Sequence, residues 1–138
     1  LAYQGSQLVG AAALWDQRAY KQSVVEGYAG PLTGLRGLVN GLAGNRLLPP
    51  VGEELAMAYL ACWVAPDPDI LARLIGAVAS RARRRGLAYL CVGMLEGDPL
   101  WPALRGFFGF DYSSLIYRVA PGEEVKDERL DYLELGTL

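Results

Sequence analysis

A chain of 138 residues with 52% hydrophobic and 20% charged side chains has the composition of one globular domain with a sizeable core, which excludes a disordered chain. A net charge of −2, from 13 basic and 15 acidic side chains, leaves no domain-wide positive field, so neither nucleic acid nor an anionic membrane is an expected partner. With no histidine, the commonest general base and the commonest zinc ligand are missing, and no metal site is expected.

Residues 1–3 and 7–14 read as two strands of a hairpin, with Gly5-Ser6 as the turn. Trp15 to Arg18 end the second strand. Residues 20–28 fit a short strand or an irregular loop equally well. From Pro31, Leu32, Leu35, Leu38, Val39 and Leu42 recur at helical spacing, with Thr33 as the expected cap. Pro49-Pro50 and Gly52 end that segment. Residues 54–65 form a long apolar run, as expected for a central strand covered on both faces. In the connection that follows, Asp67 or Asp69 suits a helix cap and Pro68 suits a first turn. The helix expected over 70–85 has Ile70, Leu71, Leu74, Ile75 and Val78 as its apolar stripe. Arginines crowd its last turn, where they complement the negative dipole end, and Gly86 closes it. Residues 87–95 read as a second buried strand, and 99–107 as a short helix after Asp98. Residues 112–120 alternate like a strand, and Leu130 to Leu138 read as a last one. The strand–helix–strand unit in the middle predicts a right-handed parallel crossover, so the expected sheet is mixed.

Cys62 and Cys91 sit in apolar runs and are expected as reduced core thiols, and Trp101, Phe107 and Phe108 as core aromatics. No apolar run is long enough to cross a membrane and no signal peptide opens the chain, so a cytoplasmic location is expected. The chain opens on leucine inside what reads as a strand. This leads us to expect one domain over 1–138, belonging to the C-terminal part of a longer protein.

In this order of elements the chain resembles the GNAT superfamily of acyl-CoA-dependent N-acyltransferases. Leu1-Ala2-Tyr3 with Gln7-Leu8-Val9-Gly10-Ala11 is similar to the family's second and third strands. Trp63-Val64-Ala65-Pro66 is similar to the end of its fourth. Ala79 to Gly86 resembles the end of the helix that follows, and Ala103 to Phe110 a later helix with its Gly-Phe ending. The likeness covers roughly 1–14 and 54–135. It implies an α/β fold with a GNAT-like mixed central sheet flanked by helices, lacking the usual first strand and first two helices.

The resemblance also implies a cofactor, acetyl-CoA, an acetyltransferase activity, and an amine acceptor on a small molecule or peptide. The strand end at Trp63, Val64 and Ala65 would pair with the pantetheine arm. The turn at Ile70, Leu71 and Ala72 would face the pyrophosphate. In the family that turn carries R/Q-x-x-G-x-G/A, whose glycines let backbone N–H groups approach the phosphates. Counting back from Gly86, the two glycine positions fall on Asp69 and Leu71, and the arginine or glutamine position on Pro66. A leucine side chain would fill phosphate space, and Pro66 and Pro68 remove N–H donors. Asp67 and Asp69 bring negative charge to an anion site, where two charges about 4 Å apart repel by roughly 1 kcal/mol in water. The family's proton-donating tyrosine falls on Arg105, a poor proton donor. Tyr112 and Tyr117 lie nearby, and no catalytic residue is assigned. Two other readings follow from these departures. One is a catalytically inactive GNAT-like scaffold, a partner to an upstream domain or in a homodimer. The other is a small-ligand sensor using the strand cleft.

Glu53 and Glu54 at the entrance of the central strand are candidates for a general base or a solvated strand start. Trp15 to Gln22 can line a pocket or close over the hairpin as a surface loop. Arg81 to Arg85 can hold a phosphate or acidic partner, or simply end the helix in solvent.

Overall fold

The computed structural model describes residues 1–43 and 47–115. The expected hairpin strand is present as β1, Ala2–Gln4, joined through Gly5 at φ 61° to β2, Gln7–Trp15. That left-handed turn position is the one a side chain would strain. A long connection carries helix α1, Leu32–Ala43, and leads to β3, Met57–Val64. Helix α2, Pro68–Arg84, returns the chain to β4, Tyr89–Cys91, and a 3-10 helix spans Trp101–Gly106.

The sheet runs in the order β1-β2-β3-β4, antiparallel in its first two pairings and parallel between β3 and β4. The fold is therefore α/β with a mixed sheet, and the parallel pair is joined through α2 as the sequence predicts. α2 begins where Asp67 caps it, its Oδ1 accepting from the Ile70 N–H at 2.8 Å, with Pro68 in the first turn. It ends in a Schellman arrangement. The Leu87 N–H donates to the Ala82 carbonyl and the Gly86 N–H to that of Arg83, with Gly86 at φ 74°. Leu71, Leu74, Ile75, Val78 and Ala82 form its buried face. Leu60, Leu71, Ile75 and Val78 make the main cluster with Ala103 of the 3-10 helix. Each large side chain buried there stabilises the fold by about 1.5–3 kcal/mol. Gly10 allows the close approach of helix to sheet. A Cβ there would lie 3.1 Å from both Ile70 Cγ2 and Leu74 Cδ1.

Several expectations are corrected. β3 starts at Met57 instead of residue 54, because the backbone at Glu54 is engaged in a bridge to Val24. α1 starts at Leu32, which puts Thr33 within its first turn. β4 covers Tyr89–Cys91 alone, so 92–95 leave the sheet. β3 is not covered on both faces along its length: Cys62 is exposed and Val64 is 62% exposed. Trp101 and Phe107 are exposed and Phe108 is 92% exposed, so these aromatics lie outside the core. Residues 112–115 are exposed and not in a strand. The rest of the expected final hairpin, with Tyr117, lies outside the described residues. No helix of the described residues is long and apolar enough to cross a membrane.

Candidate functional site: a splay between two parallel strands

The pairing of β3 with β4 covers Met57↔Tyr89, Ala58↔Leu90 and Tyr59↔Cys91, while β3 itself runs on to Val64. Beyond Tyr59 the two strands part. On its other side, β3 stays paired with β2: Trp15↔Tyr59, Leu14↔Leu60 and Ala13↔Ala61, then Ala11↔Val64. Between the last two pairs β2 advances two residues and β3 advances three. The extra residue is a β-bulge, and Cys62 at φ 48° supplies its left-handed turn.

The bulge changes which residues face the helix. Ala58 and Leu60 point to the α2 side, where they join the buried clusters. In a regular strand Cys62 and Val64 would follow them. Instead Trp63 and Ala65 pack against the core cluster, leaving Cys62 and Val64 exposed. A left-handed non-glycine residue costs about 1–3 kcal/mol and persists only where its surroundings hold it. Here the β2 pairing holds both flanks.

At the vertex of the splay, Tyr59 and Cys91 stand side by side. Burial pushes the Tyr59 hydroxyl above its ordinary value, and the neighbouring Cys91 adds to the effect. Burial also pushes the Cys91 thiol up, which disfavours the thiolate that a nucleophile needs. Sequence reasoning missed this pair, because register between strands separated by a helix leaves no local signal.

The residues expected to hold a cofactor are only partly brought together. Val64 and Ile70 meet over Gly10, with the Val64 carbonyl oxygen 3.0 Å from the Cβ position there. Trp63, Ala65 and Ala72 pack on the core cluster. Leu71 is fully buried, so its side chain fills the core instead of the space over the helix end. The donors of that helix end are largely committed. Pro68 has none, the Ile70 N–H is held by Asp67 Oδ1, and the Leu71 N–H donates to the Asp67 carbonyl at 3.2 Å. Asp69 adds a carboxylate to the same turn.

At the opposite, paired end of β3 and β4 lies an open cavity of about 480 Å³, bounded by Val25, Tyr28, Leu48, Leu55 and Tyr89. Its walls are tied by the hydroxyl of Tyr28 donating to the Pro49 carbonyl at 2.6 Å and that of Tyr89 to Leu47 at 2.7 Å. Two bonds between the Asn40 side chain and the Leu48 backbone anchor α1 to the same loop. Glu54, near by in sequence, has a buried Oε1 with no hydrogen-bond partner among the described residues. Glu53 is exposed. In the segment Trp15 to Gln22, Asp16 and Arg18 form an ion pair at 2.8 Å, which holds the Asp16 carboxyl below its usual range. Arg105 is exposed at the end of the 3-10 helix. No group of three or more His, Cys, Asp or Glu side chains placed to hold a metal ion occurs among the described residues. Comparison with known protein families, with curated proteins and with solved structures returns no match.

Proposed function

We propose that the chain is a GNAT-like N-acetyltransferase domain whose splay between β3 and β4 receives the extended arm of acetyl-CoA. The observation that carries this reading is the parting of a parallel strand pair at Tyr59↔Cys91, with a bulge in the strand that runs on. A strand edge left without its neighbour is a ready partner for an extended chain bearing amides, and the pantetheine arm is such a chain. Its thioester would come to rest near the vertex. An acceptor amine then attacks the thioester carbonyl, the C–N bond forms and the C–S bond breaks. The amine's proton leaves to water, and the departing thiolate takes a proton. Tyr59, placed at the vertex opposite Cys91, is the donor we assign to that last transfer, on its position alone, since burial makes its hydroxyl a weaker acid than usual.

A second reading is favoured by one specific observation. The first turn of α2 has its donors committed to Asp67 and carries Asp69, so it offers little to a diphosphate. On this reading the domain keeps the cleft without catalysis and serves as a scaffold or a small-ligand sensor.

Calorimetric titration with acetyl-CoA and with S-acetylpantetheine, which lacks the nucleotide and its phosphates, separates the two. Micromolar binding of acetyl-CoA supports the enzyme. Equal binding of both ligands means that the arm alone is recognised. With the protein folded, absence of binding by either ligand at millimolar concentration removes the acetyltransferase and leaves the scaffold or sensor.

A further inference from the structure

The open cavity at the paired end of β3 and β4 has walls fixed by hydrogen bonds. It holds about 480 Å³, within the range of small-ligand sites. Val25, Tyr28, Leu48, Leu55 and Tyr89 line it and are half-buried, packed on one side and open to the space on the other. The Val25 N–H donates to the Glu53 carbonyl at 3.0 Å, and the Leu55 N–H to that of Ser23 at 2.7 Å. The Leu48 N–H donates to Asn40 Oδ1 at 2.8 Å, and the Tyr89 N–H to the Ala56 carbonyl at 3.1 Å.

The same bonds decide what the walls offer a ligand. A carbonyl only accepts, so the phenol protons of Tyr28 and Tyr89 are committed to Pro49 and Leu47. Towards the cavity such an oxygen can act only as an acceptor. Burial, and after it the neighbouring Tyr28, push the Tyr89 hydroxyl up, so its proton stays in place on the Leu47 carbonyl. The N–H groups of Val25, Leu48, Leu55 and Tyr89 are committed as well. Among the described lining residues the one charged group is the carboxylate of Glu26, exposed at the rim, and no described lysine or arginine lines the space. The walls are therefore apolar, with acceptors and a negative charge as their polar part.

An anion would meet repulsion from Glu26 and donors already engaged. We infer that this cavity binds a small organic ammonium ion. Its apolar body would seat on Val25, Leu48 and Leu55, with its N–H groups turned to the tyrosine oxygens and to Glu26. A tyrosine ring also attracts a cation at its face. The site is separate from the splay, and its binding does not depend on acetyl-CoA.

Calorimetric titration of the 138-residue chain with 2-phenylethylamine, charged at neutral pH and added without acetyl-CoA, tests this. The expected result is saturable binding with a Kd of about 1 mM or tighter. The uncharged isostere 2-phenylethanol should bind about tenfold more weakly, and phenylacetate should not bind. Glu26 is exposed, so Glu26→Gln should weaken the amine by only about threefold. Gly27 lines the same space, and a Cβ added there meets nothing within 4 Å, so Gly27→Trp fills the cavity without backbone strain. That variant should lose binding, with unchanged thermal unfolding to show that it folds. The inference is overturned if 2-phenylethanol or phenylacetate binds as tightly as the amine, or if either variant binds the amine like the parent. It is also overturned if the parent shows no saturable binding at about 10 mM amine.

Discussion

Cys62 decides the shape of the splay, and its effect runs through one dihedral angle. At φ 48° its Cβ crowds the following carbonyl, a cost that only glycine escapes and that β-branched residues feel most. Stability should therefore rank Cys62→Gly at or above the parent, and the parent above Cys62→Val by about 1–2 kcal/mol. Urea unfolding midpoints test this order, and Cys62→Val matching the parent would show that the turn is not strained. The sequence offers no contrast from which to read the bulge. Ala58, Leu60, Trp63 and Ala65 face the helix, but the residues between them are also small or apolar. When both faces of a strand share one character, a shift of parity is invisible. For the same reason Cys62 reads as a core thiol and proves exposed.

α2 is the element most fully legible. Asp67 or Asp69 as cap, Pro68 in the first turn, the stripe Ile70, Leu71, Leu74, Ile75 and Val78 and the closing Gly86 are all local signals; Asp67 takes the cap, the helix runs over Pro68–Arg84 instead of 70–85, and every residue of the stripe but Ile70 is buried. The same cap works against the proposed cofactor, since Asp67 occupies a donor that an anion would want. Asp67→Ala should lower stability by about 1 kcal/mol through loss of the cap. If the splay binds acetyl-CoA, the same change should tighten that binding, because an N–H is released and a negative charge is removed. Thermal unfolding and calorimetry on one sample measure both effects, and a variant that weakens binding would place the phosphates elsewhere. β4 is the least legible element. Its apolar run continues to Leu95, yet pairing stops at Cys91. An apolar run records that residues are shielded, not which neighbour shields them.

Across the whole molecule, order is unevenly distributed. The β2–β3 pair, α2 and the 3-10 helix share the buried cluster, whereas among the described residues α1 packs substantially against no other element. α1 exposes Leu35, Leu38 and Leu42 and is tethered mainly through Asn40 to Leu48. Its amides should therefore exchange with solvent at least tenfold faster than those of α2, since local opening of α1 exposes little buried surface. Hydrogen exchange followed by mass spectrometry measures this, and equal protection would show that α1 belongs to the cooperative core. The sequence by itself determined the hairpin at Gly5, the helix between Asp67 and Gly86, and the parallel crossover it implies. Those features rest on turn dihedrals, caps and periodicity, which act within a few residues. Only the tertiary structure decided where β3 bulges, where β4 parts from it and which of the described aromatics stay outside the core. These depend on register and coverage between residues far apart in the chain, and such pairings are chosen by the packing of the whole sheet against α2.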